Sequence, residues 1–193
     1  MSRHNSWDRS EPYALQIGDF SENMYIGVSY RKENEGFNER PPAVVKVKFV
    51  KPGQKKLLDS VMHHEVGVVT QDGHRFTIHC RQWTENNNYD VNHFISKATV
   101  WEWKLSEKFN NWLNKEYDYQ VSHKLEIYLY DTALEVQEAL KAASDYLEQL
   151  HQQRIRNEIE KKINQEEAVR RQAEQERKEE QARKVIDKMF GAD

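Results

Sequence analysis

The sequence predicts an α+β protein, in which a mainly antiparallel β-sheet domain with short helices precedes a long, partly coiled-coil-like C-terminal α-helix. Three observations support this class. Several short segments alternate apolar and polar residues, as half-buried strands do. All four prolines lie at or before Pro52 and six of the seven glycines at or before Gly73, so the turns concentrate early in the chain. No residue that stops a helix occurs between Thr132 and Gly191.

The composition sets limits on partners and location. Aromatic residues make up 11% of the 193-residue chain, which argues against general disorder. The net charge is −3, so bulk charge gives no attraction for nucleic acid. Cys80 is the single cysteine, which excludes an internal disulfide and a zinc site built from several cysteines. Because the sequence shows neither a secretion signal nor an apolar run of membrane-spanning length, we expect a cytoplasmic protein without membrane association.

The chain divides into three parts in this interpretation: a polar, mobile tail over residues 1–11, an antiparallel α+β domain over 12–130, and a long helix over 131–190. About seven strands are expected in the domain. The segment 43–50 is the clearest strand, with Val45, Val47 and Phe49 on one face and lysines on the other. The other strands are predicted within residues 13–17, 24–31, 64–70, 74–83, 99–105 and 121–129.

Two short helices are predicted in the domain. The apolar residues that follow Pro52 and Gly53 fall at helical spacing; they are Leu57, Leu58, Val61 and Met62. Ser106 can cap a second helix. The apolar stripe of that helix consists of Phe109, Trp112, Leu113 and Tyr117.

The segment from His64 to Trp83 predicts a hairpin. Asp72 and Gly73 favour a two-residue type I′ turn, which pairs Val69 with Phe76, Val66 with His79 and His64 with Arg81.

This register places four donor side chains on one face of the hairpin, where they form a candidate site for nucleic-acid phosphates. These residues are His64, Arg75, His79 and Arg81. The alternative is an ordinary solvated or buried sheet face, because Val66 and Val68 fall on the same side.

The long helix begins with a capping box at Thr132 and Glu135, and we expect about 58 residues, or roughly 87 Å at 1.5 Å per residue. Its proximal part, residues 134–163, carries an apolar seam with steps of four and three, which can pack on the domain or against a second copy. The seam residues are Val136, Leu140, Ala143, Leu147 and Leu150, continued by a thinner row of Ile155, Ile159 and Ile163.

The distal part of the helix is a charged rod that ends in an apolar tip. Residues 164–184 are nearly devoid of large apolar side chains. Six Glu–base pairs at i,i+4 between residues 158 and 184 support the helix. The tip consists of Val185, Ile186, Met189 and Phe190, which are expected to dock on a partner protein. The alternatives for the tip are fold-back onto its own domain and capping of an oligomeric bundle.

The sequence contains weak signals for metal chemistry. Six His and Cys residues lie between positions 63 and 93, but none has the spacing of a zinc site, so no metal or other cofactor is expected. Glu102, Trp103 and Lys104, with Asp90 twelve residues earlier, resemble the acidic-x-Lys element of restriction-endonuclease-like nucleases. The resemblance implies carboxylates that hold Mg²⁺ and a lysine that stabilises developing charge. The alternative is a cross-strand ion pair of Glu102.

These patterns favour a non-enzymatic adaptor or structural protein, whose helix self-associates into a homo-oligomer or delivers its apolar tip to a partner protein. Two alternatives belong to other classes. The first is a nucleic-acid-binding module that uses the hairpin face, and the second is a small Mg²⁺-dependent nuclease.

Overall fold

The computed structural model describes residues 15–31, 40–53, 61–87, 96–121 and 123–191; at residues 31, 85–87, 96–98, 187 and 190 the description is of the backbone only. The predicted α+β class is confirmed. The described residues form one antiparallel sheet of six strands in the spatial order β5-β4-β3-β2-β1-β6, together with a short and a long helix. The first five strands therefore follow one another as a meander, and the sixth returns to pair with the first.

The elements in chain order are a 3₁₀ turn at Ile17–Asp19, β1 at Tyr25–Arg31, β2 at Ala43–Lys51, β3 at Val61–Val69, β4 at Arg75–Asn87, β5 at Ser96–Leu105, α1 at Glu107–Tyr117, β6 at Lys124–Leu129 and α2 at Ala133–Phe190. Two sequence predictions differ here. Ile17, placed in a strand, begins the 3₁₀ turn, and Val61 and Met62, placed in a short helix, open β3. The remaining residues of that predicted helix, 57 and 58, lie outside the described residues.

One face of the sheet carries the hydrophobic core, and α1 packs on it through the predicted stripe. Phe109 and Leu113 are fully buried, and the Phe109 ring stacks on Phe76 of β4 with the ring centroids 4.6 Å apart. Trp103 of β5 is buried on the same face and donates its indole N–H to the carbonyl of Leu15 at 3.0 Å. The chain just before β1 is thus fixed to the core by a hydrogen bond as well as by packing.

The long helix begins where the capping box predicts. The Thr132 hydroxyl accepts the Glu135 amide at 3.2 Å, and the Glu135 carboxylate accepts the Thr132 amide at 3.2 Å. Contacts divide the chain into two compact units, residues 1–147 and 148–193, so the helix belongs to both. In the first unit Ala143 is 5% exposed and lies in the core, and Leu140 and Leu147 pack against it.

The second unit, residues 148–193, is helical as far as Phe190. Four of the six predicted Glu–base pairs form ion pairs, with N–O distances of 2.7 to 3.2 Å: Glu158–Lys162, Glu167–Arg171, Glu174–Lys178 and Glu180–Lys184. All are exposed to solvent, so each contributes only about 0.3–0.5 kcal/mol.

The predicted register of the β3–β4 hairpin is wrong by one residue. Val69 pairs with Arg75, and His64 pairs with Cys80. The loop has three residues, because Thr70 and His74 close it with a backbone hydrogen bond of 3.0 Å. Only Gly73 has a positive φ in this loop, at 89°, as expected for a type I turn followed by a left-handed residue rather than a type I′ turn. A shift of one residue exchanges the faces of a strand relative to its partner.

The predicted faces of β2 are also wrong beyond Val47. The register shifts between Val47 and Phe49, so Lys48 forms a β-bulge. Phe49 therefore turns away from the core that holds Val45 and Val47, and it is 42% exposed on the opposite face of the sheet. Val50 takes the core-facing position instead and packs against the core.

Candidate functional site

His64 does not belong to the predicted phosphate-binding face. It points into the core side of the sheet, is 3% exposed, and its ring lies beside Trp101 with centroids 5.6 Å apart. Its Nδ1 accepts the amide of Gly53 at 2.9 Å, so its Nε2 carries the proton and donates to the Gln82 side-chain oxygen at 3.0 Å. His64 is a structural histidine in which both ring nitrogens are used.

The other three predicted residues share the exposed face of β4, but they do not converge. Arg75 and Arg81 are six residues apart along one strand, or about 20 Å. Arg81 forms an ion pair with Glu102 at 3.3 Å and lies over the ring of Trp83 at 6.0 Å. His79 is exposed between them and pairs with Lys104 of β5. The four residues predicted as one site therefore do not form one.

The pairing of Glu102 also bears on the nuclease hypothesis. Its carboxylate forms a cross-strand ion pair with Arg81, which is the alternative to metal binding that the sequence also allows. Asp90 lies outside the described residues. Among the residues that the structure does describe, no group of three His, Cys, Asp or Glu side chains has the geometry to hold a metal ion.

The outer face of the sheet, opposite the core, places an aromatic ring and cationic residues in adjacent rows. Three paired residues form the central row, Phe49 on β2, Gly67 on β3 and Thr77 on β4. The neighbouring row towards the β3–β4 loop holds Lys46, Val69 and Arg75. The neighbouring row on the other side holds Lys51, Glu65, His79 and Lys104.

Gly67 allows the Phe49 ring to lie flat over the strand. A Cβ atom built on Gly67 would lie inside van der Waals contact of three ring carbons, two of them 2.5 Å away. Every other residue type at position 67 would carry a Cβ atom where the ring lies, so only glycine leaves this space to the ring. Beside it is a groove of about 370 Å³, lined by Lys48, Phe49, Gly67, Arg75 and Thr77 together with two hydrophobic residues of the central strands. We call this the Phe49 groove.

The charge around the Phe49 groove is positive. The two outer-face carboxylates of β3 and β5 are paired with cations, Glu65 with Lys51 at 3.4 Å and Glu102 with Arg81. Lys48 and Arg75, which line the groove, form no ion pair with any residue in the described part of the chain, nor does Lys46 in the next row. The residues predicted from the sequence include Arg75 but neither Phe49 nor Lys48, because a regular β2 would place Phe49 in the core.

The helix of the second unit provides the other exposed surface. Three isoleucines spaced by four residues, at positions 155, 159 and 163, are exposed, with Ile159 at 53%. Val185, Ile186 and Met189 of the predicted tip are also exposed, Met189 at 74%, while the side chain of Phe190 lies outside the described residues. No helix in the described ranges is apolar over a length sufficient to cross a bilayer.

Comparison with protein-family models, characterised proteins and solved structures found no match to this chain.

Proposed function

We propose that this protein is a non-enzymatic adaptor or structural protein, whose C-terminal helix self-associates or docks its apolar tip on a partner protein. The observation that carries the proposal is the exposure of large apolar side chains along residues 148–191, in a helix otherwise made of charged and polar residues. Isoleucine and valine are poorer helix formers than Ala, Glu or Lys, so they are not there to build the helix. Their surface is available for contact with another chain.

The proximal seam is used within the chain, which directs the proposal to residues further along. Leu140, Ala143 and Leu147 pack on the core of the first unit. Self-association through them would compete with this packing. The isoleucines at 155, 159 and 163 are exposed, so self-association through them would not compete with packing inside the chain. They are therefore the preferred surface for a second copy.

The geometry of the isoleucine row favours crossed helices over a continuous zipper. Residues 155, 159 and 163 span about 12 Å of helix axis and lie along an i±4 ridge. Helices whose i±4 ridges interdigitate cross at about −50°, whereas the alternating steps of a coiled coil give about +20°.

The energetics predict that the isoleucine row alone associates weakly. Covering the exposed half of each isoleucine is worth about 1 kcal/mol, and two facing helices gain about 6 kcal/mol from six of them. This is at the low end of the free energy that association costs, about 4–15 kcal/mol. Stable assembly therefore requires a further contact, for which the tip is the available apolar surface.

Light scattering of the full chain tests the proposal, together with chemical cross-linking. We expect an oligomer whose mass falls towards that of the monomer when the three isoleucines are replaced by glutamine. The matched control replaces three small exposed residues of the same helix by glutamine: Ala168, Ala173 and Ala182. A second variant that lacks residues 185–193 is expected to lose cross-links to a partner protein or to a second copy. If all four proteins have the monomer mass and give the same cross-links, the proposal is wrong.

A further inference from the structure

We propose that the Phe49 groove binds single-stranded nucleic acid, with a base stacked on Phe49 and the adjoining phosphates held by Arg75, Lys48 and Lys46. This inference is independent of the adaptor function, because it uses the outer face of the sheet in the first unit and none of the residues beyond 147. The site differs from the four-residue face predicted from the sequence, because Arg75 is the one residue of that face that lines the groove.

The aromatic component is the ring of Phe49 on the outer face of the sheet. Phe49 lies on β2 beyond Lys46, the last residue of β2 that pairs with β1, and it pairs with Gly67 of β3 on the other side. It is 42% exposed. Gly67 allows the ring to lie against the backbone of β3, and Phe49 still contributes to the lining of the groove. A phenylalanine in this position offers a π-surface on which any base can stack.

The cationic component consists of basic side chains that line the groove beside the ring or lie in the next row. Lys48 and Arg75 line the groove. Lys46 lies in the next row, paired with Val69, and its ammonium is 5.8 Å from the centroid of the Tyr25 ring, a solvent-side contact that it can exchange for a phosphate. Thr77 adds a hydroxyl that can donate to a phosphate or to a base edge. Because the nearby carboxylates already have cationic partners, the uncompensated charge at the groove is positive and complements a phosphate backbone.

Size and net charge select the class of nucleic acid. A groove of about 370 Å³ is within the range of sites for a ligand of nucleotide size, about 300–1,000 Å³. A ring that lies flat on the sheet reaches a base only if the base is unstacked, which favours a single strand over a duplex. The net charge of −3 gives no long-range attraction, so binding depends on the local contacts and we expect moderate affinity.

Fluorescence anisotropy with labelled oligothymidine and oligouridine of about 12 nucleotides tests the proposal on the full chain. Three phosphate contacts to a single strand give a slope of about −2 in log K against log salt, or about 20-fold weaker binding between 50 and 200 mM salt. The expected result is salt-dependent binding of either oligonucleotide with much weaker binding of the mononucleotides. No anisotropy change at low salt would overturn the proposal, as would equal affinity for a mononucleotide.

Three variants locate the site. Phe49→Leu keeps an apolar cover over Gly67 but removes the π-face, and should weaken binding about five-fold or more. Arg75→Gln should weaken binding and reduce the salt slope by about 0.7. The matched control is Arg81→Gln, which removes the same charge from the same strand and face but from an ion pair. Equal losses in the two arginine variants, or an unchanged affinity in Phe49→Leu, would show that the groove is not the site; circular dichroism confirms that each variant is folded.

Discussion

Gly67→Ala is expected to destabilise the protein through a clash with one side chain, the ring of Phe49. A methyl group at this position would overlap three ring carbons, so the ring must leave its place over β3. A free phenylalanine exposes about 200 Å². The covered part of Phe49, somewhat more than half, then represents about 3 kcal/mol at 25 cal/mol/Å², which is the upper limit of the loss. Overpacking at a site that can adjust costs about 1–3 kcal/mol, so we expect a value in this range.

The same substitution should reverse its sign when Phe49 is replaced by alanine. Without the ring, an alanine in a strand interior is favoured over glycine by about 0.5–1 kcal/mol, because glycine loses more backbone entropy on folding. The coupling between the two positions is therefore about 1.5–4 kcal/mol, well above the error of a double-mutant cycle.

Urea unfolding of the four proteins, followed by tryptophan fluorescence, measures this coupling. With a slope of about 2 kcal/mol per molar urea, Gly67→Ala should lower the midpoint by about 0.5–1.5 M. Gly18→Ala is the matched control, because a Cβ there would have no atom within 4 Å. If Gly67→Ala costs the same free energy with and without the Phe49 ring, the ring does not lie over Gly67 and the groove has been placed wrongly.

Three further results are expected. Burial raises the pKa of Tyr30 to about 12 and is the main reason that the pKa of Tyr117 is also raised to about 12, against 10.0 for an exposed tyrosine. The folded protein favours the protonated form of both tyrosines, so the stability that this preference contributes is complete below pH 10 and is lost as the pH rises through 12. The melting temperature should therefore fall between pH 10 and pH 12. It should fall less when either tyrosine is replaced by phenylalanine. Trp103→Phe leaves the Leu15 carbonyl without its indole donor and should cost about 1–3 kcal/mol in urea unfolding, whereas an unchanged midpoint would contradict the buried hydrogen bond. The ion pairs of residues 148–190 are exposed, so 1 M salt should lower the helical ellipticity of the full chain slightly; an increase would indicate that the pairs do not support the helix.

Most of the architecture could be predicted because it is specified by local patterns. The reciprocal hydrogen bonds between Thr132 and Glu135 depend on residues three apart, and the helix start was located from them correctly. The stripe from Phe109 to Tyr117 and the alternation in β5 likewise report burial directly, and both are confirmed. In each case the chemistry that decides the structure lies within one turn or one strand.

The errors arose where one residue more or less changes the face of a strand. Asp72 and Gly73 are compatible with a two-residue loop and with the last two positions of a three-residue loop, and only the pairing of β3 with β4 distinguishes them. That single step moved His64 from the exposed face to the core. Gly67, within the apolar run from Val66 to Val69, is the signal that could indicate a close approach from a neighbour.

The bulge at Lys48 and the three-residue loop together create the Phe49 groove, although they lie on different strands. With a regular β2, Phe49 would follow Val45 and Val47 into the core, and Gly67 would have no ring above it. With a two-residue loop, Arg75 and Thr77 would face the side of the sheet that holds Val66 and Val68, which are buried. The bulge costs a ladder hydrogen bond and gives the core nothing in return, since Val50 only replaces the position that Phe49 leaves. The three-residue loop also serves the core, because its register buries Phe76, Ile78 and Cys80. What the two irregularities achieve jointly is to bring an aromatic ring, a hydroxyl and cationic side chains to one exposed face, which is the physical reason to look for a ligand there.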